Sequence, residues 1–471
     1  MRLVRNSVLG SCLLLVLACQ PDSPTAPPET SFAVSSAKAP SYVISLSGSA
    51  TALKSAVERA GGQITRVWEK AGLASATSDA ADFATLLESA AGVQSVARDI
   101  EVQWLDPRER VQEFVVGGSD ERFFPIQWAP KAIHAPEAWA AGHFGQGARV
   151  AILDGGIYSA HPEIAPNLDV ARSTSFATGA FNTDLGTFWH GTHVAGIVAA
   201  ADNDAGVIGI APKATLIGVK VLHGGTGSFE SVISGIIYAA TPISEGGAGA
   251  HIINMSLGAT FPKVEKGFTS GNSDLINSLS KATSYARSRG VLVVASAGNG
   301  DPVTGIGIDF DHTGSLVTIP AQSVGVVAVS ALGPERFAYG ATNFDDLASY
   351  SNYGQSLISL GGPGGDARYP GNESCTMPIV GGTTTTACWV FDMVLSSSRG
   401  STAAGGFSWA AGTSMAAPAV SAVAALIVGK YGPMTPAQLE GHLRKSADDL
   451  GKPGNDDAYG GGRVNALRAV Q

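Results

Sequence analysis

The sequence predicts an α/β fold with a doubly wound, mostly parallel sheet, preceded by a small ferredoxin-like α+β domain. From about residue 122 to 471, short Val- and Ile-rich runs alternate with helical stretches, a pattern typical of parallel strands buried on both faces. Residues 41–105 instead follow the order β-α-β-β-α-β. The total of 471 residues exceeds the roughly 100–200 of a typical domain, so we expect more than one folding unit.

The composition favours a globular protein with a large core and excludes several classes. Hydrophobic residues make up 45% of the chain and charged residues 15%, which excludes a disordered protein. The 59 glycines follow no G-X-Y period, which excludes collagen and indicates many tight turns. The formal net charge is −9, so we expect no nucleic acid partner.

The first 18 residues have the features of an export signal. Arg2 and Arg5 precede an apolar run, Val8–Ala18. A membrane-spanning helix takes about 20 residues, so this run is too short and residues 1–18 are predicted to be a signal peptide. Two alternatives remain for the cysteine that follows. Either Cys19 is lipidated, as after a bacterial lipobox, or the signal is cleaved without lipidation. Both predict export to the extracellular space or the cell envelope, with membrane attachment only through a lipid anchor.

Two polar segments flank the predicted small domain. Residues 19–40 are rich in Pro, Ser and Thr, which predicts an extended tether. Residues 106–121 are charged and contain Gly, which predicts an exposed linker. The 65 residues between them are few for an independently stable fold, so we expect the small domain to pack against another surface.

Three polar residues lie where predicted strands meet predicted helices, the usual position of functional sites in doubly wound sheets. Asp154 ends a buried apolar strand, His190 begins a helix in HGTHVAG, and Ser414 precedes a long apolar helix in GTSMAAP. Each has an ordinary alternative. A carboxylate after a strand is often a turn residue, and a serine at a helix start is often an N-cap. His190 and His193 have the i, i+3 spacing of two metal ligands, but no acid lies between them and no third ligand is nearby.

The order Asp, His, Ser along the chain is that of the catalytic residues of subtilisin. The region from about Phe123 to Gln471 resembles the catalytic domain of a subtilisin-like serine protease, or subtilase. The matching stretches are AILDGGI, HGTHVAGIVAA, GVIGIAPKATLIGVKVL, INMSLG, VVASAGN, SNYG and GTSMAAP. Residues 41–105 resemble the inhibitor and chaperone prodomain that precedes such enzymes. The resemblance implies that residues 122–471 form a serine endopeptidase, made as a zymogen that cuts its own chain within the linker 106–121.

The resemblance also implies a role for each candidate residue. Ser414 is the nucleophile that forms an acyl-enzyme with a polypeptide substrate, and His190 is the general base. Asp154 orients His190, whereas His193 is structural. The side chain of Asn299 and the backbone N–H of Ser414 form the oxyanion hole. No cofactor is expected in catalysis.

The resemblance further implies that the substrate binds as an extended strand between two segments of the enzyme. The residues implied to line this cleft are Ser256, Leu257, Gly258, Gly225, Gly227, Ala297 and Gly298. They are small or apolar, and none is an acid that would receive a Lys or Arg side chain. The other wall, within residues 301–318, is not placed by the sequence.

A structural calcium site is implied in the loop that follows the helix beginning at His190. The implied ligands are the side chains of Glu163 and Asn203, the carbonyls of Ala201, Ala205 and Val207, and, as a further candidate, Gln127. The alternative is an ordinary hydrophilic surface loop. Two positions depart from the family pattern: Glu163 stands where Asp is more common, and Gly155 stands where Ser or Thr is usual.

Cys375 and Cys388 are the only cysteines beyond the signal region. They lie 13 positions apart in a Gly- and Thr-rich insertion, residues 363–410, whose role the sequence does not reveal. Because an exported chain meets an oxidising compartment, we expect a disulfide between them. The alternative is metal ligation, but two cysteines without a nearby histidine make a poor zinc site.

Two other functions compete with that of a protease. The first is a binding protein that keeps the subtilase fold without activity, and the competent residues at all four chemical positions argue against it. The second is a serine esterase, which would require a G-x-S-x-G motif that is not found around Ser414. We expect a monomer whose partners are polypeptide substrates and its own prodomain.

Overall fold

The computed structural model describes residues 39–114, 122–263 and 270–471. The predicted signal peptide, Cys19 and nearly all of the predicted tether lie outside the described residues. The predicted linker is described up to Phe114.

The small domain has the predicted order β-α-β-β-α-β. Its elements are β1 (Ser41–Leu46), α1 (Leu53–Arg59), β2 (Gly62–Trp68), β3 (Leu73–Ser78), α2 (Phe83–Glu88) and β4 (Val93–Arg98). The strands form one antiparallel sheet in the order β2-β3-β1-β4. Because successive side chains of a strand point to opposite faces, Ile44 packs in the domain's own core while Val43 packs against the large domain. The small domain thus packs against the large domain, as expected from its size.

Two short strands follow the four-stranded sheet of the small domain: β5 (Glu101–Gln103) and β6 (Arg110–Phe114). The large domain then alternates strands with helices. Its strands are β7 (Arg149–Asp154), β8 (Thr174–Ser175), β9 (Thr215–Lys220), β10 (Thr226–Ser228), β11 (Ile252–Met255), β12 (Ala259–Pro262), β13 (Leu292–Ser296), β14 (Leu316–Ile319), β15 (Val326–Gly333), β16 (Asp346–Leu347), β17 (Leu360–Pro363), β18 (Ser374–Ile379), β19 (Gly382–Ala387), β20 (Val394–Ser398) and β21 (Gly406–Ala411). Its helices are α3 (Trp128–Ala132), α4 (Ala135–Ala140), α5 (His190–Ala199), α6 (Phe229–Ala240), α7 (Ser270–Ser288), α8 (Thr413–Tyr431), α9 (Pro436–Ser446) and α10 (Ala466–Ala469).

The central sheet follows the order β16-β15-β13-β11-β7-β9-β8, and β17 also pairs with β15. Its neighbouring strands are parallel except for β15 and β16. Successive side chains of each strand point to opposite faces of the sheet, and helices cover both faces. In β7, Val150 and Ile152 face the core that contains α5 and α8, whereas Ala151 and Leu153 face the core that contains α6 and α7. The predicted doubly wound, mostly parallel sheet is confirmed.

Among the helices that the structure describes, α8 is long and apolar enough to cross a membrane by length and composition alone. Nearly all of α8 is buried inside the protein, where it packs under the central sheet. A helix surrounded by protein in this way has the apolar composition of a core helix.

The topology brings the three predicted site residues to one end of the sheet. Asp154 is the last residue of β7, α5 begins at His190, and α8 begins one residue before Ser414. β13 ends three residues before Asn299. The carboxyl ends of parallel strands and the amino ends of the following helices meet at the same edge, which is why residues so far apart in sequence converge.

The insertion, residues 363–410, contains two paired strand segments. β18 pairs with β19, and β20 pairs with β21. Cys375 and Cys388 form the predicted disulfide, with their Cα atoms 4.8 Å apart. β21 also pairs with β6, so the linker supplies the third strand of a small sheet, β20-β21-β6.

Candidate active site

Asp154 and His190 form a buried pair. The Asp154 carboxylate accepts hydrogen bonds from His190 Nδ1, at 2.8 and 3.0 Å to its two oxygens, and from the backbone N–H of Gly155 at 2.6 Å. Both side chains are almost fully excluded from solvent. These bonds fix the proton of His190 on Nδ1 and leave Nε2 facing the cleft.

The second ring nitrogen of His190 faces a residue that the sequence analysis did not identify. Glu109, in the linker, places Oε2 3.4 Å from His190 Nε2, and its side chain is only 6% exposed. Burial opposes a charge on His190, but the carboxylates of Asp154 and Glu109 outweigh this effect and hold the pKa of His190 well above its ordinary value. The imidazole therefore favours its protonated form while Glu109 is in place.

His193 has a different environment on the same helix. Its Nε2 donates to the carbonyl of Ser408 at 2.9 Å, and burial lowers the pKa of His193 to about 3. The ring is neutral, and its partner is a backbone carbonyl that His190 does not contact. The alternative in which the two histidines share a metal ion is therefore not supported, because each ring is bound to a separate protein group.

Ser414 lies in the first turn of α8 and is buried. Its Oγ is 3.4 Å from the carbonyl of Ser256, while its own carbonyl accepts from Ser256 Oγ at 2.7 Å. In the part of the chain that the structure describes, no hydrogen bond joins Ser414 Oγ to His190 Nε2. Glu109 lies against this ring nitrogen instead.

Asn299 is held by the start of the same helix. Its Oδ1 accepts from the backbone N–H of Thr413 at 2.9 Å and from the Thr413 hydroxyl at 2.7 Å. Because Oδ1 is committed to Thr413, Nδ2 remains as the donor of this side chain. A Cβ placed on Gly412 would meet Glu109 Oε1 at 2.8 Å and Asn299 Nδ2 at 3.4 Å, so both groups border the same glycine.

The chain segment around Trp104 lies between the two stretches named for substrate binding. The Trp104 carbonyl accepts from Gly258 N–H at 2.9 Å, and its N–H donates to the Gly225 carbonyl at 2.9 Å. Its indole N–H donates to the Gly227 carbonyl at 2.8 Å, and its ring packs edge-on against Phe229. The segment just before it, β5, pairs antiparallel with β10. The protein's own chain thus occupies the cleft expected for substrate.

The segment that the sequence left unplaced, residues 301–318, ends in a strand near Gly258. β12 follows Gly258 directly and pairs antiparallel with β14, so residues 316–319 run beside Ala259–Pro262, and Ile319 lies next to Gly258. At the end of the neighbouring strand β13, the Ala297 carbonyl accepts from Asn352 Nδ2 at 2.8 Å, and Gly298 has φ +98°. This value lies in the region that favours glycine, which accounts for the small residue before Asn299.

A buried lysine lies beside the Asp154 carboxylate and was also missed by the sequence analysis. Lys220 on β9 is in register with Asp154 on β7, and its ammonium donates to the Gly155 carbonyl. It lies 3.8 Å from Asp184 Oδ1. A Cβ on Gly155 would come 2.2 Å from Asp184 Oδ2, so the glycine that departs from the family pattern makes room for this carboxylate. The sequence feature that could have identified Lys220 is its position within the apolar run LIGVKVL.

The residues named for calcium fit only in part. Glu163 is buried, and a Cβ on Gly206 would meet its Oε1 at 2.5 Å, so its carboxylate lies against the loop 201–207. Asn203 is exposed, and its Nδ2 donates to the Pro162 carbonyl at 3.3 Å. Gln127 is committed elsewhere, because both polar atoms of its carboxamide bind the backbone of Ile208. Among the described residues, no group of three or more His, Cys, Asp or Glu side chains is placed to hold a metal.

Comparison with known proteins gives one consistent result. The family model of the subtilase family matches residues 145–462. M-protease of Shouchella clausii is 33% identical over 348 residues, 74% of this chain and 70% of the relative. Subtilisin Savinase of Lederbergia lenta is 32% identical over 348 residues, 74% of this chain and 99% of the relative.

Solved structures agree on the fold. The crystal structure of the epidermin leader peptide processing serine protease of Staphylococcus aureus covers 91% of this chain and 97% of its own, with a TM-score of 0.70 at 19% identity. Fervidolysin of Fervidobacterium pennivorans, a keratinolytic enzyme related to subtilisin, covers 93% of this chain and 62% of its own, with a TM-score of 0.64 at 21% identity. At these identities the likeness concerns the fold alone.

The fold, the convergence of Asp, His and Ser at one edge of the sheet, and these relatives define a subtilisin-like serine endopeptidase. The chain belongs to the subtilase family.

Proposed function

We propose that this protein hydrolyses peptide bonds through the triad Asp154, His190 and Ser414. The observation that carries the proposal is the buried Asp154–His190 pair, 2.8 Å apart, at the edge of the sheet where α8 presents Ser414. Ser414 Oγ attacks the substrate carbonyl while its proton passes to His190 Nε2. The imidazolium, held by Asp154, then gives this proton to the leaving amine. Water, activated by His190, hydrolyses the acyl-enzyme in the second half of the reaction.

The oxyanion formed on the substrate carbonyl requires preorganised donors. The Asn299 side-chain N–H and the Ser414 backbone N–H at the start of α8 are the proposed pair. The bonds from Thr413 to Asn299 Oδ1 support this role, because they orient the amide before the reaction begins. Loss of one such donor costs about 10²–10³ in turnover, a magnitude measured on subtilisin.

We propose that residues 41–105 act as an intramolecular inhibitor and that the chain is made as a self-processing zymogen. Support comes from the pairing of β5 with β10 and from the bonds that Trp104 makes to both sides of the cleft. The chain continues past the catalytic residues, where Glu109 contacts His190 Nε2. His190 accepts the Ser414 proton only after Glu109 has moved, so this contact keeps the zymogen latent.

A structural calcium ion is proposed at the loop 201–207, with Glu163 and Asn203 as side-chain ligands. The buried Glu163 carboxylate against this loop supports it, and Gln127 is omitted because its carboxamide is bound to Ile208. We also propose export directed by residues 1–18, with Cys19 as a lipid anchor, polypeptides as substrates, and a monomeric enzyme. The apolar run Val8–Ala18 behind Arg2 and Arg5 supports export.

An activity-based probe tests the proposed chemistry. A fluorophosphonate should label the processed wild-type protein at Ser414 and should not label the Ser414→Ala variant. Hydrolysis of casein should show the same dependence. Labelling that is absent from the processed wild type, while a known serine protease is labelled in parallel, would favour the inactive binding protein.

A further inference from the structure

A single chain segment, residues 101–114, crosses the catalytic residues and is paired as a strand on both sides of them. Before the crossing, β5 pairs with β10. At the crossing, Glu109 contacts His190. Beyond it, β6 pairs antiparallel with β21, in a register that runs from Arg110 opposite Ala411 to Phe114 opposite Phe407.

The second pairing is made by the insertion. β21 lies between β20 and β6, so its outer edge is free to pair with another chain once the linker has left. Pairing at a strand edge uses backbone groups and accepts any extended polypeptide, while side-chain contacts set the preference. The last residue of β21, Ala411, lies three residues before Ser414. An extended substrate held at Ser414 therefore reaches this edge with the residues that follow the cleaved bond.

A side-chain contact on this side favours a basic residue. The Arg110 guanidinium lies over the ring of Trp389, 5.8 Å from its centroid. Arg108 donates to the Asp301 carbonyl at 2.7 Å. A cavity of about 420 Å³ opens here, and residues of the insertion line it together with Asn299, among them Asp366, Arg368 and Pro370. Arg110 follows Glu109 and contacts the insertion, whereas Arg108 precedes Glu109 and also forms an ion pair with Asp106 of the linker itself.

The disulfide holds the aromatic wall in place. Trp389 follows Cys388, which is bonded to Cys375 in β18. The Cys388 N–H also donates to the Glu373 carbonyl at 2.9 Å. The covalent closure of this loop restricts the unfolded chain and so helps to order the surface segment that carries Trp389.

We propose that the insertion is a substrate-binding surface for the residues that follow the cleaved bond, through strand pairing at β21 and a preference for Arg or Lys beside Trp389. The proposal rests on the proposed peptidase function. It assigns a role to residues 363–410 and to the disulfide, and it specifies extended polypeptides with a basic residue after the cleaved bond as the favoured substrates.

Internally quenched peptides test the proposal on the processed enzyme. All share one sequence before the cleaved bond, and they differ after it by Arg, Ala or Glu at one of the first five positions. At one position, Arg should raise kcat/KM by about two- to fivefold over Ala, the size of an exposed cation–π contact. Trp389→Ala should lower this Arg/Ala ratio to about one, and reduction of the disulfide should have the same effect. The ratio is the readout because it does not depend on the amount of active enzyme.

Two controls separate the surface from the chemistry. The first control is Tyr369→Ala. Tyr369 belongs to the same insertion, but its ring contacts the guanidinium groups of Arg336 and Arg368. This substitution should leave the Arg/Ala ratio unchanged. Peptides that end two residues after the cleaved bond should lose at least tenfold in kcat/KM, because they cannot pair with β21. Equal cleavage of all peptides, or a preference for Arg that survives Trp389→Ala, would overturn the proposal. If no peptide is cut and no probe labels Ser414, the peptidase function itself has failed.

Discussion

The two histidines of α5 illustrate how burial and partners divide residues of one type into different roles. His193 is bonded to a backbone carbonyl, and burial keeps its pKa at about 3, so it is neutral at any working pH. His190 lies between two carboxylates, which favour its charged form. A general base must gain and lose a proton within the working range, and only His190 is placed for this.

Replacement of each histidine by alanine should separate these roles. His190→Ala should lower turnover by about 10⁶, the magnitude found for subtilisin, while the protein remains folded. His193→Ala leaves the Ser408 carbonyl without its donor and should lower the melting temperature, yet the remaining folded protein should hydrolyse peptides. Turnover per mole of folded protein and the melting temperature are the measurements. An inactive, folded His193→Ala protein beside an active His190→Ala protein would reverse the assignment.

Glu109 should set the pH at which the zymogen processes itself. Its carboxylate stabilises the imidazolium of His190, whereas catalysis needs the neutral ring. Processing should therefore increase as pH rises through the pKa of His190. Glu109→Gln should move this rise to lower pH by about one unit, the lower end of the effect of an adjacent charge. The rate of conversion of full-length chain, followed on gels from pH 5 to 9, measures it.

Glu113→Gln is the matched control, since Glu113 lies on the same linker but is bonded to Thr187 at the surface. It should leave the pH dependence of processing unchanged. An identical pH profile for wild type and Glu109→Gln would show that the contact does not control latency.

For single residues, the sequence predicts a role in the site where one short motif contains all of the evidence for that role. Asp154, His190 and Ser414 each lie in such a motif, at a strand end or a helix start. Glu109 does not, because its role depends on the path of the linker and on a partner 81 residues away in sequence. The sequence named Gln127 as a candidate calcium ligand, but its carboxamide is bound to the backbone of Ile208. A local sequence pattern cannot show this contact, because the two residues are far apart in the chain.

At the scale of elements, the small domain is attached to the large domain through α6 and α7. Arg66 forms an ion pair with Glu230 on α6, and Lys281 on α7 donates to the Leu46 carbonyl at 2.9 Å. Asp99 accepts from the N–H of Glu230 at 3.2 Å, in the first turn of α6. Burial at this contact, with the carboxylates of Glu230 and Glu101 nearby, raises the pKa of Asp99 to about 7.

Release of the small domain should therefore become easier as pH rises. Asp99 has an ordinary pKa near 3.9 once exposed, so the docked state binds the extra proton and docking weakens as pH rises from about 4 through 7. Asp99→Asn should flatten this dependence and hold the small domain longer at pH 8. The rate at which peptidase activity appears after processing, measured from pH 5 to 8, reports release. The prediction is wrong if the variant and the wild type release with the same pH dependence.

Most elements were predictable because their periodicity is local, as in the strand that ends at Asp154 or the order of the small domain. The pairing of β12 with β14 was not, since it joins segments more than 50 residues apart and closes a wall that no single window describes. The same holds for β6 and β21, which are separated by almost the whole large domain. Their partners follow from the tertiary fold and have no signature in the segment itself.

At the scale of the whole molecule, calcium at the loop 201–207 should raise stability by RT ln(1 + [L]/Kd), about 2.7 kcal/mol when the ion is at 100 times its Kd. Exhaustive chelation should lower the melting temperature of the processed enzyme and speed its autolysis. Asn203→Ala, at an exposed position, should reduce the dependence of the melting temperature on calcium. A melting temperature that is the same with and without chelator would contradict the proposed calcium site.

The passage of one continuous segment past Asp154, His190 and Ser414 sets the reaction order expected for the proposed maturation. Because β5 and β6 are anchored on either side of Glu109, the bond to be cut is delivered to Ser414 without any encounter in solution. The first cleavage should be unimolecular, with a half-life that does not change on dilution. Once the segment is cut, its two halves are held only by their separate strand pairings, and each then dissociates by mass action. Later trimming by one enzyme molecule on another should accelerate with protein concentration, so a dilution series separates the two stages.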